Sequence, residues 1–261
     1  MNKIAVCGKG GSGKSVLVRL LAAGMRARGQ RVLVVDSDES NTGLYRMLGF
    51  PDPPAPLTEL MGGKKKVEEE IEAKIRAGVP EMAVQLMTDE ISVADIPPGH
   101  IVEKDGTRLV SIGKILLALE GCACPMGIVS RSFLKKLRLE PDEIAIVDME
   151  AGVEHFGRGV ETSIDCILVV VEPSLDSLEL ARRISELSHQ LKIGDVWAVV
   201  NKVTSEELAA RLRDELDNRG VTVIGSVRYD PEIFESCLEG RPLSGHIAEE
   251  DVDKILDFIF P

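Results

Sequence analysis

Positive charge is what this 261-residue chain is short of. Its 31 lysines and arginines face 43 aspartates and glutamates, a formal net charge of −12, which argues against nonspecific nucleic-acid binding through a basic surface. The one dense cationic run, Lys64-Lys65-Lys66, is followed at once by Glu68-Glu69-Glu70 and reads as a solvated helix face. Long hydrophobic runs are missing too: none approaches the roughly 20 residues of a membrane span. Residues 251–261 carry apolar Val252, Ile255, Leu256, Ile259 and Phe260 but are acidic between them, a core-docking helix rather than an anchor for an anionic membrane. No signal peptide is expected, because residues 1–8 read as a strand running straight into a loop. The five cysteines are odd in number and irregular in spacing, which suits a reducing cytoplasm. The four histidines, His100, His155, His189 and His246, show no ligand spacing.

What is present begins at once. Gly8-Lys9-Gly10-Gly11-Ser12-Gly13-Lys14-Ser15 fits the pattern of a phosphate-binding loop, in which glycines let backbone N–H groups converge on phosphate oxygens. Lys14 is placed to reach the β and γ phosphates, and the Ser15 hydroxyl to ligate Mg²⁺. An apolar run at 4–7 precedes the loop and a helical pattern from Val16 follows it, so residues 8–16 join a strand to a helix and are the expected nucleotide-binding segment. A second cation in the loop, Lys9, needs concentrated negative charge between itself and Lys14, which a nucleotide triphosphate would supply.

Further strands are expected at 31–35, 144–147, 166–171, 197–200 and 221–226, and helices at 14–28, 175–191, 206–219 and 252–260. The alternation specifies an α/β fold, a mostly parallel sheet with helices on both faces. The middle, about 50–113, departs from it. Four prolines in 51–56 force an extended or turn segment, a charged helix is expected at about 58–77, and broken runs at 79–113 suggest a small hairpin insertion. One domain spanning 1–261 with an elaborated middle is the expected organisation.

Carboxylates stand at two strand ends. Asp36 and Asp38 follow the second strand, where they can meet Mg²⁺ or an attacking water, or can cap a helix starting near Asn41. Asp148 ends the apolar run 144–147, placed to hold Mg²⁺. Asn201-Lys202 ends another strand, where an asparagine is also a common turn former. With the loop, these elements resemble the deviant Walker A superfamily of nitrogenase iron protein, Min and Par ATPases. The resemblance implies ATP-dependent dimerisation in which Lys9 reaches the phosphates of the partner subunit. It also implies that Asp38 orients the hydrolytic water, with Asp36 a weaker candidate, and that 148–154 is a second switch. Asn201 and Lys202 are implied to recognise adenine, with 227–231 closing over the base.

Gly121-Cys122-Ala123-Cys124-Pro125-Met126-Gly127 is the other strong feature. In an extended backbone, residues two apart face one side, so Cys122 and Cys124 can present two thiolates to one soft or borderline metal. A four-ligand site then requires two such pairs, as a dimer two-fold would supply. Buried small cysteines or a strained redox pair are the other readings the residues allow. Cys7 and Cys166, in apolar strands, and Cys237, in a helical pattern, read as structural. Loop and thiol motif together resemble the CooC-type nickel-insertion ATPases that serve carbon monoxide dehydrogenase. That resemblance implies an ATP-hydrolysing metallochaperone with ATP/ADP, Mg²⁺ and Ni²⁺ or Zn²⁺, a homodimer with a nickel-enzyme client and no nucleic-acid or membrane partner. A Min/Par-like positioning ATPase and an iron–sulfur-carrying reductase are the alternatives.

Overall fold

Strands that are apolar from end to end belong in a sheet buried on both faces, and that is where this chain puts them. The computed structural model describes residues 1–78, 88–115, 124–243 and 246–261. Its first half runs β1 (Lys3–Gly8), α1 (Lys14–Ala27), β2 (Arg31–Asp36), α2 (Leu44–Met47), a 3₁₀ turn (Leu57–Met61), α3 (Lys64–Arg76), β3 (Ile91–Ser92), β4 (Val102–Lys104) and β5 (Thr107–Ser111). Then come α4 (Cys124–Lys136), β6 (Leu137–Arg138), β7 (Glu143–Asp148), α5 (Glu154–Arg158), β8 (Cys166–Val171) and α6 (Leu175–Gln190). The last elements are β9 (Asp195–Val203), α7 (Glu206–Asp217), β10 (Val223–Arg228), α8 (Pro231–Glu239) and α9 (His246–Ile259). Eight strands form one sheet in the order β10-β9-β8-β1-β7-β2-β5-β4, parallel throughout except for the antiparallel β4–β5 edge. This is the mostly parallel α/β fold the alternation specifies.

Side chains alternate across each strand, and the two faces collect separate cores. Ile4 and Val6 of β1 and Ile144 and Ile146 of β7 pack with Leu17, Leu20 and Leu21 of α1 and Val252, Ile255 and Leu256 of α9. Ala5, Cys7, Ala145 and Val147 point the other way, towards Val129 and Phe133 of α4, Ala181 and Ile184 of α6, and Leu212 of α7. Each fully buried Leu, Ile or Val contributes roughly 1.5–3 kcal/mol, so the central strands are fixed by packing, and their C-terminal ends can carry polar chemistry. Cys7 and Cys166 are buried in β1 and β8. Among the described residues no helix is long and apolar enough to cross a membrane.

Four expectations are corrected. The charged helix at 58–77 is two pieces, because Gly62 and Gly63 take φ of +85° and +93° between the 3₁₀ turn and α3, which no helix accommodates. The last helix starts at His246 rather than 252. Helix α4 opens at Cys124, two residues before Met126. The hairpin expected within 79–113 exists as β4–β5, yet it does not stand apart: β5 pairs in parallel with β2, from Val32 opposite Thr107 to Asp36 opposite Ser111. Burial of Leu109 and Val110 explains why it joins the sheet, and that pairing delivers residues 112–115 to the end of β2.

Candidate nucleotide site

Parallel α/β sheets bind ligands in the crevice beyond the C-terminal ends of their strands. There β1 gives way at Gly8 to the loop, and α1 starts at Lys14. Gly13 precedes the helix with φ +101° and ψ 25°. A methyl group on it would lie 2.2 Å from Asn201 Nδ2, which donates to the Ser12 carbonyl at 2.8 Å. Only glycine fits that conformation and that approach. Lys14 is buried, and the N-terminus of a 14-residue helix beside it favours an anion.

Asp148, at the end of β7, is fully buried, and the parallel register sets it beside Asp36 of β2. Its Oδ2 accepts a hydrogen bond from Ser15 Oγ at 2.6 Å, and Asn41 Nδ2 donates to the same hydroxyl at 2.7 Å. Among the described residues, Asp148 Oδ1 and Ser12 Oγ are the buried side-chain polar atoms with no hydrogen-bond partner. Such atoms are costly unless something else satisfies them, and both lie at the phosphate loop. Burial, reinforced by Asp36, pushes the Asp148 carboxyl up to about 7, against the opposing pull of Ser15 and Lys14. Burial likewise lifts Asp36 to about 6, with Lys114 pulling it back.

Asp38 is buried, and its Oδ1 accepts from Ser40 N at 2.9 Å, Ser40 Oγ at 2.6 Å and Asn41 N at 3.2 Å. It closes a turn rather than capping a helix, since α2 begins only at Leu44, after Gly43. Among the described residues, no three His, Cys, Asp or Glu side chains gather to hold a metal by themselves. Magnesium takes one or two carboxylates and leaves its other positions to phosphate and water; the Ser15–Asp148 pair, with one carboxylate oxygen unsatisfied, fits it.

Lys9 meets carboxylates of its own chain. Its Nζ pairs with Glu172 at 3.5 Å and Asp176 at 3.7 Å, so the negative charge its position demands comes from within the chain. Glu172 also binds Lys202 at 3.0 Å, and Lys202 Nζ donates to the Gly11 carbonyl at 2.6 Å. Burial alone would raise the Glu172 carboxyl, but Lys202 and Lys9 together hold it below its usual range. Asn201, Lys202, Val227, Tyr229 and Asp230 line a cavity of about 220 Å³ against Gly13. Arg228 also lines it, its guanidinium paired with Asp251 at 2.8 Å and with Glu250. Cys237, read as structural, is exposed and borders this cavity.

Of the thiol pair, Cys122 and the side chain of Cys124 lie outside the described residues; the backbone of Cys124 opens α4. Sequence reasoning overlooked Lys114, Asn41, Glu172 and Asp176. Asn41 sits in the acidic run after β2, where an amide among carboxylates is a usable signal. Lys114 and Glu172 carry none, since their partners are distant in sequence.

Residues 3–243 match the family model described as the CobQ/CobB/MinD/ParA nucleotide binding domain. An uncharacterised ATP-binding protein of Methanocaldococcus jannaschii is 41% identical over 255 residues, which cover 97% of this chain and 99% of that one. The carbon monoxide dehydrogenase accessory protein CooC of Rhodospirillum rubrum is 32% identical over 235 residues, 88% of this chain and 85% of its own length. Among solved structures, the septum site-determining protein MinD of Pyrococcus horikoshii, complexed with Mg-ADP, is similar with a TM-score of 0.68 at 17% identity, covering 99% of this chain and 96% of that one. That last likeness concerns the fold.

Proposed function

Because this chain belongs to the CobQ/CobB/MinD/ParA nucleotide-binding domain family, we propose that it acts as one ATPase domain that binds and hydrolyses ATP with magnesium. The observation that carries this reading is Asp148, fully buried at a strand end, one oxygen on Ser15 and the other without a partner. In this reading Ser15 and Asp148 hold the ion, which polarises the γ-phosphate when bound. Lys14 and the backbone of residues 8–16 hold the phosphates, Asp38 orients the attacking water, and Asn201 and Lys202 flank the base.

The finer reading is a homodimeric metallochaperone whose cargo, nickel or zinc, is held by Cys122 and Cys124 of two subunits and passed to a nickel enzyme such as carbon monoxide dehydrogenase. Two observations support it: the Cys-Ala-Cys sequence itself and the 32% identity with CooC. Thiolate affinity for the cargo would be linked to nucleotide state through the dimer arrangement. Lys9 has a defined part in this scheme. It leaves Glu172 and Asp176 when the partner's phosphates offer it a denser negative charge.

Two measurements test the reading. Changing Cys122 and Cys124 together to alanine should abolish stoichiometric Ni²⁺ or Zn²⁺ binding by the anaerobically purified protein and leave ATP binding intact; undiminished metal would sink the chaperone role. An iron–sulfur absorption band, or ATP-dependent sedimentation with liposomes or DNA, would favour the reductase or the positioning ATPase instead. Changing Lys9 to alanine should lower ATP turnover by more than about tenfold and remove ATP-driven dimerisation, read by light scattering; an unchanged rate would take that role from Lys9.

A further inference from the structure

The loop between β2 and α2 has no regular secondary structure, yet it carries Asn41 to the Ser15 hydroxyl. Something must fix it. Part of the answer is backbone pairing with the segment that follows β5: Ile112 N donates to the Asp36 carbonyl at 2.9 Å and Ile115 N to the Glu39 carbonyl at 3.0 Å. Between those two bonds stands Lys114. Its ammonium donates to Asp36 Oδ1 at 2.7 Å and to the backbone carbonyls of Asp38 and Asn41. An ammonium has three protons, and each of the three meets a different residue of the loop or its root.

We propose that Lys114 is the positioning residue of the magnesium–nucleotide site, fixing the loop so that Asn41 holds the Ser15 hydroxyl in place. The proposal rests on the reading that Ser15 and Asp148 hold magnesium with a nucleotide. The line of contacts is short. Lys114 holds the Asn41 carbonyl, Asn41 Nδ2 donates to Ser15 Oγ, and Ser15 Oγ donates to Asp148 Oδ2. Lys114 acts through Asn41 and the loop. Its charge also matters, because it is the cation paired with buried Asp36, next to Asp148 in the sheet. Without it Asp36 loses the cation it is paired with, next to the second buried acid. Arginine is a poor replacement: its protons lie in one plane, whereas these three acceptors converge on one nitrogen.

A cavity of about 470 Å³ adjoins this cluster, lined by Lys114, Asp36, Tyr45, Leu109, Ser111 and Met126 among others. It gives the test its leverage, because a small ammonium ion can enter where a side chain has been cut away. The full-length protein is titrated with fluorescent ADP, with and without Mg²⁺. Lys114→Met, which keeps the apolar stem, should weaken apparent Mg²⁺ affinity about 10- to 100-fold, the usual cost of losing a residue that orients a ligand. Its magnesium-free nucleotide affinity should stay within about threefold of wild type. Lys114→Ala should behave alike and regain magnesium dependence with added ethylammonium, but not with tetramethylammonium, which has no N–H to donate. Equal losses of nucleotide affinity with and without Mg²⁺, unchanged Mg²⁺ affinity in Lys114→Met, or equal rescue by both amines would overturn the proposal. A wild-type protein whose ADP binding ignores Mg²⁺ would instead overturn the reading of the site on which it rests.

Discussion

Asp148→Asn will make the ligand-free protein more stable at pH 8 while removing its magnesium-dependent ATP turnover. The buried Asp148 carboxyl titrates at about 7 against 3.8 for an ordinary aspartate. Between those values the folded chain holds a proton that the unfolded chain has released, so stability falls as pH rises through that window and stays low above it. At about 1.4 kcal/mol per tenfold change in the protonation equilibrium, an upward displacement of even one to two pH units would be worth about 1–3 kcal/mol. The substituted amide carries no charge at any pH, and its oxygen can still accept the Ser15 hydrogen bond. The expected gain at pH 8 is therefore about 2 kcal/mol, or a melting temperature raised by about 4–8 °C, shrinking to nothing near pH 4. Phosphate release should drop by more than about 100-fold. Differential scanning fluorimetry at pH 5 and pH 8 checks the first part. An unchanged or lower melting temperature at pH 8 would show that the buried charge is compensated after all.

The opposite outcome is expected from Gly13→Ala. A left-handed backbone costs a residue with a side chain about 1–2 kcal/mol, and the new methyl would sit 2.2 Å from Asn201 Nδ2. Asn201 must then leave the Ser12 carbonyl, stranding buried polar groups. Together these should destabilise the protein by about 2–4 kcal/mol and reduce ATP affinity by more than about 100-fold. The two causes separate in a double mutant. Adding Asn201→Ala removes the collision but not the backbone strain, so part of the lost stability should return while nucleotide binding stays lost. A Gly13→Ala protein with wild-type melting and ATP affinity would mean that the loop adjusts freely.

What could be read from the sequence follows from the range of the forces involved. The central strands were legible because burial on both faces leaves an unbroken apolar run, as in 166–171. The phosphate loop was legible because its chemistry is local: glycine and lysine at fixed offsets, between a strand and a helix. Asp148 was legible as the polar end of an apolar strand. The hairpin's place was not, because whether 107–111 stands apart or joins β2 depends on a partner strand 75 residues earlier. Lys114 was invisible for the same reason, its three acceptors lying 78, 76 and 73 residues earlier. The break at Gly62-Gly63 was in plain sight, and the charged helical pattern on either side hid it. For Lys9 the sequence raised the question of which negative charge it meets and pointed to a nucleotide triphosphate; in the structure Glu172 and Asp176, distant in sequence, stand beside it.

Glu172 serves two lysines with one charge. Lys9 comes from the phosphate end of the cleft and Lys202 from the wall of the cavity below Tyr229, so the two compete for a shared counter-ion. Were Lys202 drawn off by a ligand in the cavity, Glu172 would be left to Lys9; were Lys9 drawn towards phosphate, Lys202 would keep the carboxylate alone. Two lysines from the two ends of the cleft thus lean on a single acid, so in the proposed dimer scheme the departure of one would change how the other is held.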